Sequence, residues 1–182
     1  MEDKYLNKYR TTPARLIGWD YGAHGLYFVT ICTKDRLHYF GEIVASEGPN
    51  SVSFKPTEMG SVAYDNWLKV PEHFPFVELD EFVVMPDHIH GILFINKPDK
   101  TDWDLNKFGA QSRNLASIIR GYKASVKKHA TINEINFAWQ PKYHDRIIRN
   151  ENEYQNIKQY IFDNPEKWLL NGCIDDEIYI SK

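Results

Sequence analysis

The sequence predicts an α+β domain: a mainly antiparallel sheet with helices packed against it. Three observations predict it. Runs of β-branched and aromatic residues recur along the chain, two segments show clear helical signals, and the elements follow the order strand, helix, strand, strand, helix, helix. At 182 residues the chain suits one domain with a sizeable core. Residues 1–25, polar and glycine-containing, are expected to form an irregular N-terminal arm, residues 26–170 the domain and residues 171–182 a tail.

Leu26 to Thr33 (LYFVTICT) reads as the first strand. Phe40 to Val44 is expected to be a partner strand, and Gly48, Pro49 and Asn50 mark a turn that leads to Ser51–Phe54 as a hairpin. Thr57 to Val70 is expected to be a helix capped by Thr57 and stopped by Pro71, with Val62, Trp67 and Leu68 available for packing. Val77 to Met85 is a strand broken by Pro86-Asp87, and His88 to Ile95 is the next. Lys97 to Asn114 is a polar loop. Leu115 to Ala130 is the clearest helix, because Leu115, Ile118, Ile119, Tyr122 and Val126 form one apolar stripe. A short strand ends the stretch from Trp139 to Ile148. Glu151 to Asp163 is the last helix, capped by Asn150 or Asn152, with an end expected at Asn164 because Pro165 follows.

Bulk properties narrow the function. No apolar run is long enough to span a bilayer and the first seven residues lack a signal segment, so a cytoplasmic protein with no membrane partner is expected. Cys32 and Cys173 have no metal-pair spacing and suggest no disulfide scaffold. The net charge of −3 conceals an asymmetry. Between Lys107 and Arg149 nine basic residues stand against Glu134 and Asp145, a balance of +7 that leaves −10 for the rest. Such a block suits a phosphate-tracking surface, and equally a solvated face with counter-charges elsewhere. Arg113, Arg120, Lys123, Lys127 and Arg146 are its candidate DNA contacts, and Trp139 and Tyr143 could stack on unpaired bases or serve as core aromatics.

The chemistry-bearing candidates lie elsewhere. In His88-Ile89-His90, a strand would project both imidazoles from one face, as a pair of metal ligands or as surface or core histidines. Asp87 reads first as a turn residue after Pro86; the alternatives are a third ligand or a partner that orients an imidazole. Tyr160 and Asn164 are four apart on the last helix and share a face. Tyr160 reads either as a packing residue or as a nucleophile, with Asn164 offering a carbonyl oxygen to a metal. His144 and Asp145 could contact DNA or assist proton transfer, and His24, His38, His73 and His129 suggest no partner.

An ordered set of pieces spans about Tyr9 to Leu170: Tyr27–Thr33 (YFVTICT), Phe40-Gly41, Val83–Ile92 (VVMPDHIHGI), Trp139-Gln140, Arg146–Asn150 (RIIRN), Tyr160–Pro165 (YIFDNP) and Trp168. In this the chain resembles the single-tyrosine transposases with a His-hydrophobic-His (HUH) motif, and most closely their branch associated with repetitive extragenic palindromes (REP). The resemblance implies a ferredoxin-like fold. It implies a metal-dependent endonuclease and strand transferase acting on single-stranded or hairpin DNA, with Tyr160 as nucleophile through a 5′-phosphotyrosine. It implies His88, His90 and Asn164 as ligands to magnesium or manganese, and a monomer or homodimer. Two features depart from the family pattern: Asp87 stands where Asn is common, and the overall charge is acidic. A DNA-binding module without turnover is the competing reading; an RNA-binding domain would need aromatic ribonucleoprotein motifs that the sequence lacks.

Overall fold

The computed structural model describes residues 16, 18–46, 52–103 and 112–171. Most of the expected arm, the turn at 48–50 and nearly all of the expected tail lie outside the described residues.

Four strands form the main sheet: β1 (Gly25–Cys32), β4 (Val77–Val84), β5 (His88–Ile95) and β6 (His144–Ile148), in the order β4-β5-β1-β6. Each neighbouring pair is antiparallel. With α1 (Glu58–Leu68) between β1 and β4 and α3 (Leu115–Ile132) between β5 and β6, this is the βαββαβ plan of a ferredoxin-like fold. A last helix, α4 (Glu151–Asn171), follows β6 after two residues.

Strand alternation gives the sheet two chemically different faces. Tyr27, Val29, Ile31, Ile89, Leu93 and Ile95 enter the main core with Trp67 of α1 and Leu115, Ile118, Ile119, Tyr122 and Val126 of α3. Asn114 and Ser117 start α3 with a reciprocal capping box, each side chain accepting the other's backbone N–H at 3.0 Å. Gly91 is needed on this face, since a Cβ there would stand 2.4 Å from Trp67 Cζ2. On the opposite face Phe28, Ile92 and Ile148 pack against Ile157, Tyr160 and Ile161 of α4.

Three expectations need correction. First, the expected hairpin forms, as β2 (Gly41–Ala45) paired with β3 (Val52–Pro56), but it stands apart from the main sheet and does not partner the first strand. Second, Pro71 does not stop the chain's helical course. After α1 ends, Pro71 sits in the first turn of a short α2 (Val70–His73), where its missing N–H costs nothing. Leu68 is 47% exposed and leaves the inner face to Met59, Gly60, Ala63 and Trp67. Third, α4 runs through Pro165 to Asn171. An interior proline costs a helix about 3 kcal/mol. Packing on both sides of it compensates, with Asn164 buried before it and the Trp168 ring set against His38 and His88 beyond it.

The N-terminal half of α4 is fastened to the sheet. Asn150 caps it by accepting the Glu153 N–H at 2.9 Å, and Glu153 accepts from Arg146 Nε of β6 at 2.5 Å and from the Arg149 N–H at 3.0 Å. A register shift between Leu79 and Phe82 interrupts β4, and Asp80 within it accepts from the Tyr154 hydroxyl and, at 3.3 Å, from Lys158 Nζ.

Candidate active site

The register of the sheet builds the site. His90 lies opposite Thr30 on β1, and Thr30 lies opposite His144 on β6. His88, two residues before His90, lies opposite Cys32. Both imidazoles therefore project from the face that α4 covers, and both are almost fully buried, at 1% and 0% exposure.

Each imidazole has its outer nitrogen occupied. His88 Nδ1 lies 2.6 Å from Asp87 Oδ1, so the ring donates there and turns Nε2 inward. His90 Nδ1 lies 2.8 Å from Thr30 Oγ1. The two Nε2 atoms face one another at 3.0 Å. Two nitrogen lone pairs at that distance repel unless a proton or a cation lies between them. Two imidazole nitrogens that share one ion at about 2.1 Å each, near a right angle, stand about 3 Å apart, so the pair suits a divalent ion. Among the described residues no group of three or more His, Cys, Asp or Glu side chains could hold a metal ion. A third protein donor would therefore be an amide or a hydroxyl.

Asp87 does hold the bend after Pro86, as its turn reading expects: its carbonyl accepts from the Thr33 N–H at 2.8 Å and the Thr33 hydroxyl at 2.9 Å. It is also fully buried, and its second carboxylate oxygen meets Arg36 Nε at 2.8 Å. Arg36 and its neighbour Asp35 have left-handed backbone at φ 54°, a conformation most residues avoid. That turn aims the guanidinium back at Asp87 and, at 2.9 Å, at Cys32 Sγ.

Helix α4 brings Tyr160 over the pair. Its hydroxyl lies 3.2 Å from His90 Nε2, and its ring meets His90 at 5.1 Å and Phe28 at 6.1 Å between centroids. Phe28 in turn stacks on His90 at 5.4 Å. Asn164, one turn further on, is buried at 5% exposure, and Trp168, a further turn on, lies 5.8 Å from the His88 ring. The electrostatics of the α4 contacts favour docking. Burial raises the carboxyl pKa of Asp80 and Glu153, but their hydrogen bonds outweigh it and hold both below the ordinary range. The hydrogen bond to Asp80 pushes the Tyr154 phenol up.

The structure thus brings together Tyr160, His88 and His90, and sets Asn164 on the same helix. The basic candidates are scattered. Helix α3 packs on the other face of the sheet; Lys123 donates to the Gln140 carbonyl at 2.5 Å and Lys127 to the Phe137 carbonyl at 2.6 Å. Burial holds the Lys123 ammonium pKa down. Arg120 is exposed, and Arg113 is exposed beside the Phe76 ring. Arg146 lies on the site face in register with Phe28 but is paired with Glu153. Trp139 and Tyr143 pack against the main core. Sequence reasoning missed Thr30, Arg36 and Trp168. Only Trp168 carried a usable signal, its i+4 and i+8 spacing from Asn164 and Tyr160.

Comparisons with known proteins bear on this arrangement. No family model matches the chain. It is 34% identical over 175 residues to an uncharacterized protein of Haemophilus influenzae, covering 91% of each. It is 26% identical over 166 residues to another H. influenzae protein, named "Putative REP-associated tyrosine transposase", covering 89% of this chain and 82% of that one. A solved REP-associated tyrosine transposase bound to a REP hairpin superposes with a TM-score of 0.55 at 21% identity, covering 89% of this chain and 74% of that one, and so shares its fold. Among the described residues no helix is long and apolar enough to cross a membrane.

Proposed function

We propose that the chain is a REP-associated tyrosine transposase, like the relative to which it is 26% identical, and that it cleaves and rejoins single-stranded hairpin DNA through Tyr160. The observation that carries this reading is the convergence of three groups. Tyr160 Oη stands 3.2 Å from His90 Nε2, and His88 Nε2 stands 3.0 Å beyond.

In this reading His88, His90 and the Asn164 side chain hold a divalent cation, magnesium or manganese. Such an ion supplies a Lewis acid that polarises the scissile phosphate and favours the ionised nucleophile. Asp87 and Thr30 keep both Nε2 atoms turned inward. The Tyr160 hydroxyl passes its proton to solvent water and its oxygen attacks phosphorus. The new bond joins Oη to phosphorus, the bond from phosphorus to the 3′ oxygen breaks, and that oxygen leaves as a 3′-hydroxyl once it gains a proton. The DNA remains as a 5′-phosphotyrosine, and attack by a 3′-hydroxyl reverses the step and rejoins a strand.

The test is covalent trapping. Labelled hairpin DNA is incubated with wild-type protein and with Tyr160→Phe, in manganese and in chelator. A denaturation-resistant adduct that needs both the metal and Tyr160 is expected. An adduct that survives Tyr160→Phe would remove Tyr160 as the nucleophile; DNA binding with no adduct in any divalent metal would favour a binding module.

A further inference from the structure

We propose that Trp168, backed by His38, is a stacking subsite for one unpaired base next to the scissile phosphate. The inference deepens the reading above and rests on it.

Tyr160, Asn164 and Trp168 recur at i, i+4 and i+8, so α4 presents all three along one line. The first two are buried over the sheet. The third is only partly buried, with its ring 5.8 Å from His88 and 5.4 Å from the exposed His38. The other rings against the histidine pair, Phe28 and Tyr160, are closed off at 4% and 8% exposure. A phosphate that reaches the imidazoles thus finds an accessible aromatic surface at the Trp168 end.

A partly exposed indole beside the proposed phosphodiester-cleaving centre suits a nucleobase. Every base has a π-face, so stacking holds an unpaired nucleotide without regard to its sequence. Trp139 and Tyr143 are also partly exposed, but they pack against the main core rather than beside the histidine pair.

The experiment is a double-perturbation cycle on DNA binding, run in chelator so that no cleavage occurs. Wild type, Trp168→Ala and Trp168→Phe are titrated with fluorescein-labelled hairpin DNA that has unpaired flanks, with a single abasic site walked through each flank. At one flank position the abasic site should weaken wild-type binding about 10-fold or more, and Trp168→Ala on intact DNA should weaken it to a similar degree. At that position the abasic site should change Trp168→Ala binding by less than about twofold, because the base has already lost its platform. Trp168→Phe, which keeps a ring, should stay within about threefold of wild type on intact DNA. Independent penalties at every position, or wild-type affinity in Trp168→Ala, would overturn the subsite alone and leave the Tyr160 adduct untouched. Failure of the wild-type protein to bind the hairpin would overturn the proposed function and the subsite together. The abasic series on unaltered protein keeps the test decisive even where Trp168→Ala frays the end of α4.

Discussion

Replacing Asp87 with Asn changes one oxygen into an amide and should damage stability and metal affinity by separable amounts. The carboxylate accepts from His88 Nδ1 at 2.6 Å and from Arg36 Nε at 2.8 Å, with no solvent access of its own. An amide offers one acceptor oxygen, so its NH2 must face either the imidazole donor or the guanidinium. Losing one charge-assisted hydrogen bond costs about 1.5–3 kcal/mol, and in a domain of this size that lowers the melting temperature by about 4–10 °C. Arg36 is one-third exposed and can turn to water, which favours the lower part of that range. The second effect falls on His88. Without an anionic acceptor at Nδ1 the ring no longer prefers the tautomer with its lone pair on Nε2. Loss of such an orienting partner weakens metal binding about 10- to 100-fold. Thermal melting gives the first number, and manganese titration followed by the spin-resonance signal of the free ion gives the second, with His88→Ala as the null. Wild-type manganese affinity in Asp87→Asn, alongside its loss in His88→Ala, would refute the orienting role.

Three further outcomes are expected. Acid should release α4 before the sheet unfolds. Asp80 and Glu153 are both held below their ordinary pKa, so their contribution is complete above the unfolded carboxyl values near pH 4 and is lost as pH falls through the lower folded ones. Near-UV circular dichroism should change in that range before far-UV dichroism does, and coincident transitions would count against it. Pro165→Ala restores a backbone N–H inside α4 and should stabilise the protein by about 1–3 kcal/mol; an unchanged urea midpoint would mean that the proline ring itself packs. Lys123→Ala should mainly lower the melting temperature and leave the salt slope of DNA binding unchanged, since Lys123 already serves the Gln140 carbonyl. A slope reduced by about one at an unchanged melting temperature would make Lys123 a phosphate contact.

Much of the fold was legible in local pattern. β5 begins and ends where the run His88–Ile95 does, and the α3 stripe from Leu115 to Val126 is the buried one. The helical spacing of Tyr160 and Asn164 and the strand spacing of His88 and His90 gave the right faces. What pattern could not give was pairing. Thr30 meets His90 only because β1 lies beside β5 in a fixed register sixty residues away, and nothing in either strand's own sequence states that offset. Arg36 depends on a left-handed turn in residues that ordinarily avoid one. Pro165 misled because a local preference worth about 3 kcal/mol was outweighed by packing contacts at Asn164 and Trp168. The basic block shows a different limit: charge can be counted along the chain, but the carbonyls that engage Lys123 and Lys127 cannot.

The sheet is complete at Ile148, and α4 is an addition laid across its finished face. The two parts of the centre therefore belong to different cooperative layers. The imidazoles sit on strands held by backbone ladders to neighbours, whereas the tyrosine rides on a helix held by side chains: two carboxylates, one small apolar cluster and a cap. Detaching such a helix is a smaller event than unfolding a domain. Release of α4 alone would carry the Tyr160 hydroxyl away from His90 and leave the backbone ladders of the sheet in place.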